Sequence, residues 1–390
     1  MSKLLDYLDW RGDLPLAAAA FSEVDNLLFA KLSYLNFEGI VPPPEIGKGV
    51  PLRDAAAAYF ERHASDGVNM GVLVPEQIPN LLCAMARSRR FGSVLLNGYE
   101  ERINEQTEQQ FAALTAELGD GSVYVAFRGT DDTLVGWKED LNLSFLEKIP
   151  SQQCALTYLE RIAKQYPRRP LRVGGHSKGG NLAVYGAVYA PEAVQKRILR
   201  VYNNDGPGFG HDISETEEHS RIAERILTLV PQSSVVGMLL EHEEHYEIVH
   251  SCETGLMQHN GFSWEVLGDR FVRVDRVSRG GKLADETLEL WEASLTPQQK
   301  ENVVNALYEV LSGTGARTLS DLSEEKRKSA AAILKTYKNL DATTRQLLAE
   351  TLRLLFRAGR KPVLQNVQEN ELEALRKKLE DVRRRLFEKK

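Results

Sequence analysis

The chain has 390 residues, of which 42% are hydrophobic and 27% charged, the profile of an ordinary globular protein with room for one larger α/β domain and an appendage. A formal net charge of -6 argues against a basic nucleic-acid binder, and Cys83, Cys154 and Cys252 are too few and too scattered for a disulfide framework or a metal centre. The N-terminus lacks the apolar run of a signal peptide, and no stretch approaches the roughly 20 apolar residues of a membrane span, so the expectation is a cytoplasmic protein, with a peripheral membrane role still open.

In chain order, residues 17–37 read as a helix, with Leu, Phe and Tyr at three- and four-residue spacings. The prolines of VPPPE at 41–45 end it. Further helices are expected over 52–64 and 77–88. SVLLNGYEE (93–101) and QTEQQFAALTAEL (106–118) are ambiguous between helix and strand. GSVYVAFRGT (121–130) reads as a core strand running into a loop, and a helix follows around 150–165. RPLRVGGHSKGGNLAVYGAVYA (169–190) gives strand, tight turn and helix, and 194–208 and 220–231 each give another helix end, strand and loop. This alternation predicts a largely parallel sheet covered by helices.

Beyond about 290 three helices are expected, with Gly313 and Gly359 as stops. Leu372, Leu375, Leu379, Val382 and Leu386 then form a short heptad seam, for packing on the protein itself or for self-association. Residues 301–390 hold 19 Lys/Arg against 13 Asp/Glu, which leaves a net -12 in the remainder. The sequence therefore divides into an N-terminal helical segment (1–92), a catalytic core (93–290) and a helical extension (291–390). The extension is expected to be removable without loss of the site, and it offers a surface for a homo-oligomer.

The chemistry concentrates in Gly175-His176-Ser177-Lys178-Gly179, between the apolar LRV and the helical NLAVYGAVYA. That is the context of a nucleophile elbow, where small residues two before and two after the serine let strand and helix approach. The N–H of Lys178 then points where an oxyanion would form, at a helix N-terminus. A serine needs a base, and the base an orienting acid. In this fold class they follow the serine in the order acid, then histidine, which excludes His63 and disfavours His176. Asp205, in the loop after the next strand, is the favoured acid and Asp212 the second choice. Among the later histidines His219 reads as solvated. Only two residues separate His242 from His245, so the zinc pattern HExxH is absent. His259, late and in a loop beside Gly261, is favoured as base over His250. The second oxyanion donor is expected at Thr130, in a loop that Gly129 lets turn tightly. Arg128 and Asp140 either brace that loop as a charge pair, or Arg128 packs on a neighbouring loop. Lys178 attracts an anionic substrate or points to solvent. Residues 234–240 line an acyl pocket, form a lid or make a core helix.

FRGT followed by Trp137 and Asp140, together with GHSKGG, resembles the class 3 lipases of the α/β-hydrolase fold. The strings LSYLNFEGI, YVAFRGTDDTLVGWKEDLN, HSKGGNLAVYGA, YNNDGPGF and MQHNGFSWEV are similar, in order, to the Mbeg1-like family of bacterial proteins over roughly residues 20–270. The resemblance implies an α/β-hydrolase fold, Ser177 as nucleophile, His259 as base and Thr130 as an oxyanion-loop residue. Class 3 lipases place the acid before a Val-Pro pair. Here that string is LTLVPQSS, with Thr228 and Leu229 in its place, a departure that favours Asp205, where pancreatic-type lipases carry the acid. The expected activity is hydrolysis of carboxylic esters through an acyl-enzyme, on small-molecule or lipid-like acyl esters and without metal or other cofactor. Thioesterase or acyltransferase chemistry, or an inactive interaction scaffold, are the alternatives.

Overall fold

The structure, a computed structural model, describes residues 2–63, 70–71, 74–234, 236–237, 240, 245–277, 295–324, 326–342, 344–349 and 351. The heptad seam, Gly359, His242 and part of 234–240 lie outside them.

Eight strands form one sheet in the order of the chain. They are β1 (Val50–Pro51), β2 (Leu95–Asn104), β3 (Gln109–Glu117), β4 (Val123–Phe127), β5 (Leu171–His176), β6 (Ile198–Asn204), β7 (Ile226–Pro231) and β8 (Tyr246–Val249). β1 to β4 pair antiparallel and β4 to β8 parallel. Along β4 the side chains alternate between faces. Tyr124 and Ala126 join one core with α1 (Asp6–Arg11), α2 (Glu23–Leu32), α3 (Leu52–Arg62) and α4 (Ile78–Arg87). Val123, Val125 and Phe127 join the other, with α6 (Pro150–Gln165) and α7 (Lys178–Tyr189), after α5 (Leu134–Asn142). Each such buried side chain contributes about 1.5–3 kcal/mol. The result is a three-layer α/β-hydrolase fold in which every parallel strand ends on the same edge.

The ambiguous segments 93–101 and 106–118 are an antiparallel pair. β3 is buried on both faces, so the polar–apolar alternation that marks a half-exposed strand is missing. The first expected helix is shorter than its periodicity suggests. Ser22 accepts from the N–H of Asp25 (3.2 Å) and Asp25 from that of Ser22 (2.8 Å), a capping box that starts α2 at Glu23.

Two small helices, α8 (Glu192–Gln195) and α9 (Glu217–Ser220), precede the C-terminal group α10 (Pro297–Ser312), α11 (Leu319–Glu324) and α12 (Lys326–Asn339). Gly313 follows α10 with an ordinary right-handed φ of -60°. The left-handed turn falls instead at Gly315 (φ +84°). This group is tied to the loop after β4. Leu134 N–H donates to the Arg317 carbonyl (2.8 Å), Leu319 N–H to that of Asp132 (2.9 Å), and Lys300 Nζ to that of Ser144 (3.0 Å). Between α5 and α10 lies an apolar cavity of about 260 Å³, against Trp137, Leu141, Leu307 and Leu311. No described helix is long and apolar enough to cross a membrane.

Candidate active site

Ser177 lies between β5 and α7 with φ 61° and ψ -136°. A non-glycine residue in that region is strained and persists only where its surroundings impose it. They do so by close approach. A Cβ on Gly175 would collide with the main chain of Gly179, and one on Gly179 with the Phe127 carbonyl. Ser177 N–H is held by the Asn204 carbonyl (3.0 Å), and Asn204 Nδ2 donates to the Gly175 carbonyl (2.7 Å). Lys178 opens α7, where the helix itself provides no acceptor for its N–H. Gly129, after β4, packs against the elbow. A Cβ there would lie 2.5 Å from the His176 carbonyl oxygen and 3.1 Å from Ser177 Cβ, besides striking the Tyr34 hydroxyl.

Asp205 follows β6 in a left-handed conformation (φ 53°) and is fully buried. Its Oδ2 lies 2.6 Å from Nδ1 of His259, and its Oδ1 accepts the Ser234 hydroxyl from the turn after β7. Gly237 lies so close that a Cβ there would collide with Asp205 Oδ1. The runners-up do not meet. Asp212 accepts a hydrogen bond from the N–H of Ser214 (2.7 Å), and His250 pairs with Glu265 (2.9 Å). His219 is buried rather than solvated, because α9 packs on α7. Thr228, in the class 3 acid string, is buried within β7.

The Thr130 hydroxyl donates to Asp140, whose carboxyl is raised above its ordinary range chiefly by burial. Of the two readings for Arg128, the charge pair with Asp140 does not form. Arg128 bridges Glu101 (2.6 Å) and Asp131 (3.0 Å) instead. Neither expectation for the Lys178 side chain holds. Buried completely, its Nζ donates to the carbonyl of Gln110 (2.9 Å), to Gln110 Oε1 (2.7 Å) and to Glu139 Oε2 (2.9 Å). Glu139 in turn accepts from the N–H groups of Gln110 and Ser151, 2.9 Å each. The pair joins the elbow to α5 and so to the loop of Thr130.

Four groups escaped the sequence reading. Ser234 holds the acid. Nε2 of His176 reaches the His259 carbonyl (2.7 Å), and the Tyr34 hydroxyl reaches its Nδ1 (3.3 Å). Burial, with Lys31 and His259 nearby, lowers the His176 pKa well below the usual imidazole range. Lys31, on α2, is buried beside them. The string KLSY around Lys31 and Tyr34 was the available signal, a lysine and a tyrosine three apart at the end of an apolar helix.

A family model described as Mbeg1-like matches residues 85–309. No curated protein matches the sequence. Among solved structures, the chain is similar to a fungal lipase in complex with an inhibitor (16% identity, 45% of this chain and 70% of that one, TM-score 0.32). It is also similar to the Rhizomucor miehei lipase–propeptide complex (16%, 51% and 66%, 0.32) and to Lip2 lipase from Yarrowia lipolytica (12%, 67% and 87%, 0.34). It thus spans just under two thirds of the Rhizomucor miehei chain.

Proposed function

The chain belongs to the Mbeg1-like family, and we propose that it is a serine hydrolase that cleaves carboxylic esters through an acyl-enzyme. The observation that carries this reading is the 2.6 Å contact of His259 Nδ1 with the buried Asp205, beside a strained serine elbow. With Nδ1 bound to the acid, Nε2 of His259 is the nitrogen left to take the Ser177 proton as Oγ attacks the ester carbonyl carbon. The imidazolium then returns that proton to the leaving alcohol, and water, activated the same way, releases the acid. Asp205 orients His259 and stabilises its cationic form. The N–H groups of Lys178 and Thr130 receive the oxyanion, since the Thr130 hydroxyl is directed at Asp140.

Lipid-like acyl esters remain the favoured substrate class, and a cytoplasmic location the expectation. A thioesterase or acyltransferase would share the acyl-enzyme and differ only in the leaving group or acceptor. The test is turnover of short p-nitrophenyl esters by the full-length protein and by Ser177→Ala. The reading predicts hydrolysis that falls at least about 10³-fold in the variant. Equal turnover in a mass-verified variant contradicts it.

A further inference from the structure

We propose that Asn204, the residue before the candidate acid, is a positioning residue of the reaction. Held from α2 by Asn26, it keeps the nucleophile's elbow and the acid's loop at one fixed spacing. The roles of Ser177 and Asp205 rest on the hydrolase reading, whereas the contacts of Asn204 do not.

An elbow requires small residues only two before and two after its serine. GGHSKGG carries two further glycines, Gly174 and Gly180, and each gives way to an asparagine. A Cβ on Gly174 would collide with Asn26 Oδ1, and one on Gly180 with Asn203 Oδ1. Asn26, Asn203 and Asn204 are all 1% exposed or less. Buried amides must be hydrogen-bonded, and apolar side chains of the same shape would fill the space without that demand. What the amides add is direction. A carbonyl only accepts, so the atom facing the Gly175 carbonyl (2.7 Å) is Asn204 Nδ2. Its Oδ1 then accepts from Asn26 Nδ2 (2.9 Å), and Asn26 Oδ1 accepts the Tyr124 hydroxyl of β4 (2.7 Å). The chain of donors runs from β4 through α2 to the strand that carries the nucleophile.

Asn204 also joins the two strained residues of the site. Five non-glycine residues among those described have a positive φ, and two of them are Ser177 (61°) and Asp205 (53°). The register of β5 with β6 sets His176 opposite Asn204, so Ser177 and Asp205 leave neighbouring strands at the same level. The Asn204 carbonyl accepts the Ser177 N–H (3.0 Å), and its peptide bond leads into Asp205, whose own N–H is fixed by the Leu229 carbonyl of β7 (2.8 Å). Asn203 Oδ1 accepts the N–H of Gly206 (3.0 Å) and so secures the far side of the acid. Strained residues persist only where their surroundings over-determine them, and here both are determined through the same asparagine. Loss of its amide releases the Gly175 carbonyl and displaces the serine from the His259–Asp205 pair by a fraction of an ångström. Misplacement on the scale of about 1 Å costs about 10²-fold in rate.

The test is p-nitrophenyl ester kinetics on the full-length protein and on Asn204→Ala, Asn26→Ala and the double variant, each well below its unfolding midpoint. In Asn204→Ala kcat should fall about 10–10²-fold with KM within about twofold of native, and in Asn26→Ala it should fall less. The double variant should be no slower than Asn204→Ala, because Asn26 acts through Asn204. A purely structural asparagine would lower the midpoint and leave kcat of the folded enzyme unchanged. Native kcat in folded Asn204→Ala therefore overturns the proposal, and so do losses that multiply in the double variant. If Asn204→Ala does not fold, Asn26→Ala decides, and native kcat there overturns the proposal. A native protein that hydrolyses no ester counts against the hydrolase reading alone. The spacing of Ser177 and Asp205 in crystals of the native protein and the folded variant then decides; it should change by about 0.5 Å or more, and an unchanged spacing overturns the proposal.

Discussion

Nε2 of His176 lies 2.7 Å from the main-chain carbonyl of His259. A carbonyl only accepts, so Nε2 carries the proton and Nδ1 faces the Tyr34 hydroxyl as acceptor. The residue before the candidate nucleophile thus holds the backbone of the candidate base. In His176→Leu this carbonyl loses its partner, at a cost of about 1–3 kcal/mol. A lowered Tm and a fall in kcat/KM of about tenfold or more are expected, with kcat more affected than KM. Denaturation and ester kinetics on the same preparation check this.

Lys178 and Glu139 are both fully buried and bonded to each other. Removing one partner leaves an uncompensated charge in the core, which costs about 3–5 kcal/mol. Lys178→Leu should therefore be strongly destabilised. Lys178→Leu combined with Glu139→Leu should recover part of the loss. Urea midpoints of the two single variants and the double variant measure this; additive losses would contradict the pairing.

Lys31 gives stability a pH dependence of known sign. Its ordinary value is 10.5 and its value in the fold about 7. Between the two the unfolded chain binds the extra proton, so raising the pH favours the folded state. The cost of burying Lys31 is full below about 7 and fades as the pH approaches 10.5. Lys31→Met should therefore be the more stable protein by roughly 4 kcal/mol at pH 6, with little difference at pH 10. Urea unfolding at both pH values tests the trend. A gap independent of pH contradicts it.

The elbow was legible because its strain demands small residues at fixed offsets, and Gly175 and Gly179 supply them. The sheet was legible where strands alternated with helices. β3 was not, since a strand covered on both faces has no periodicity of its own. The fate of the Lys178 side chain was hidden for another reason. Its partner Glu139 lies 39 residues away, and nothing local distinguishes a paired core lysine from a solvated one. The same holds for Ser234, whose contact with Asp205 depends on the adjacency of β6 and β7, and for Lys31, on a helix that packs against β5 from far away in the sequence.

The tie between the C-terminal helices and the loop after β4 also predicts an outcome. Truncation at about residue 296 removes α10, α11 and α12, exposes Trp137 and Leu141, and leaves the Leu134 N–H without the Arg317 carbonyl. The shortened protein should unfold at lower temperature and react more slowly at Ser177. Thermal melts beside a labelling time course would show it. Unchanged melting and labelling would make the extension a separate unit.

Ester hydrolysis at this site requires Ser177 to be an activated nucleophile. The most direct measurement is reaction of the native full-length protein with a fluorophosphonate probe, followed by peptide mapping, with His259→Ala and Asp205→Asn alongside. Stoichiometric modification of Ser177, slowed by at least about 10²-fold in either variant and no further in the pair because they act as one unit, is the predicted result. A folded native protein that leaves Ser177 unmodified, or labels it equally fast without His259, would contradict the account.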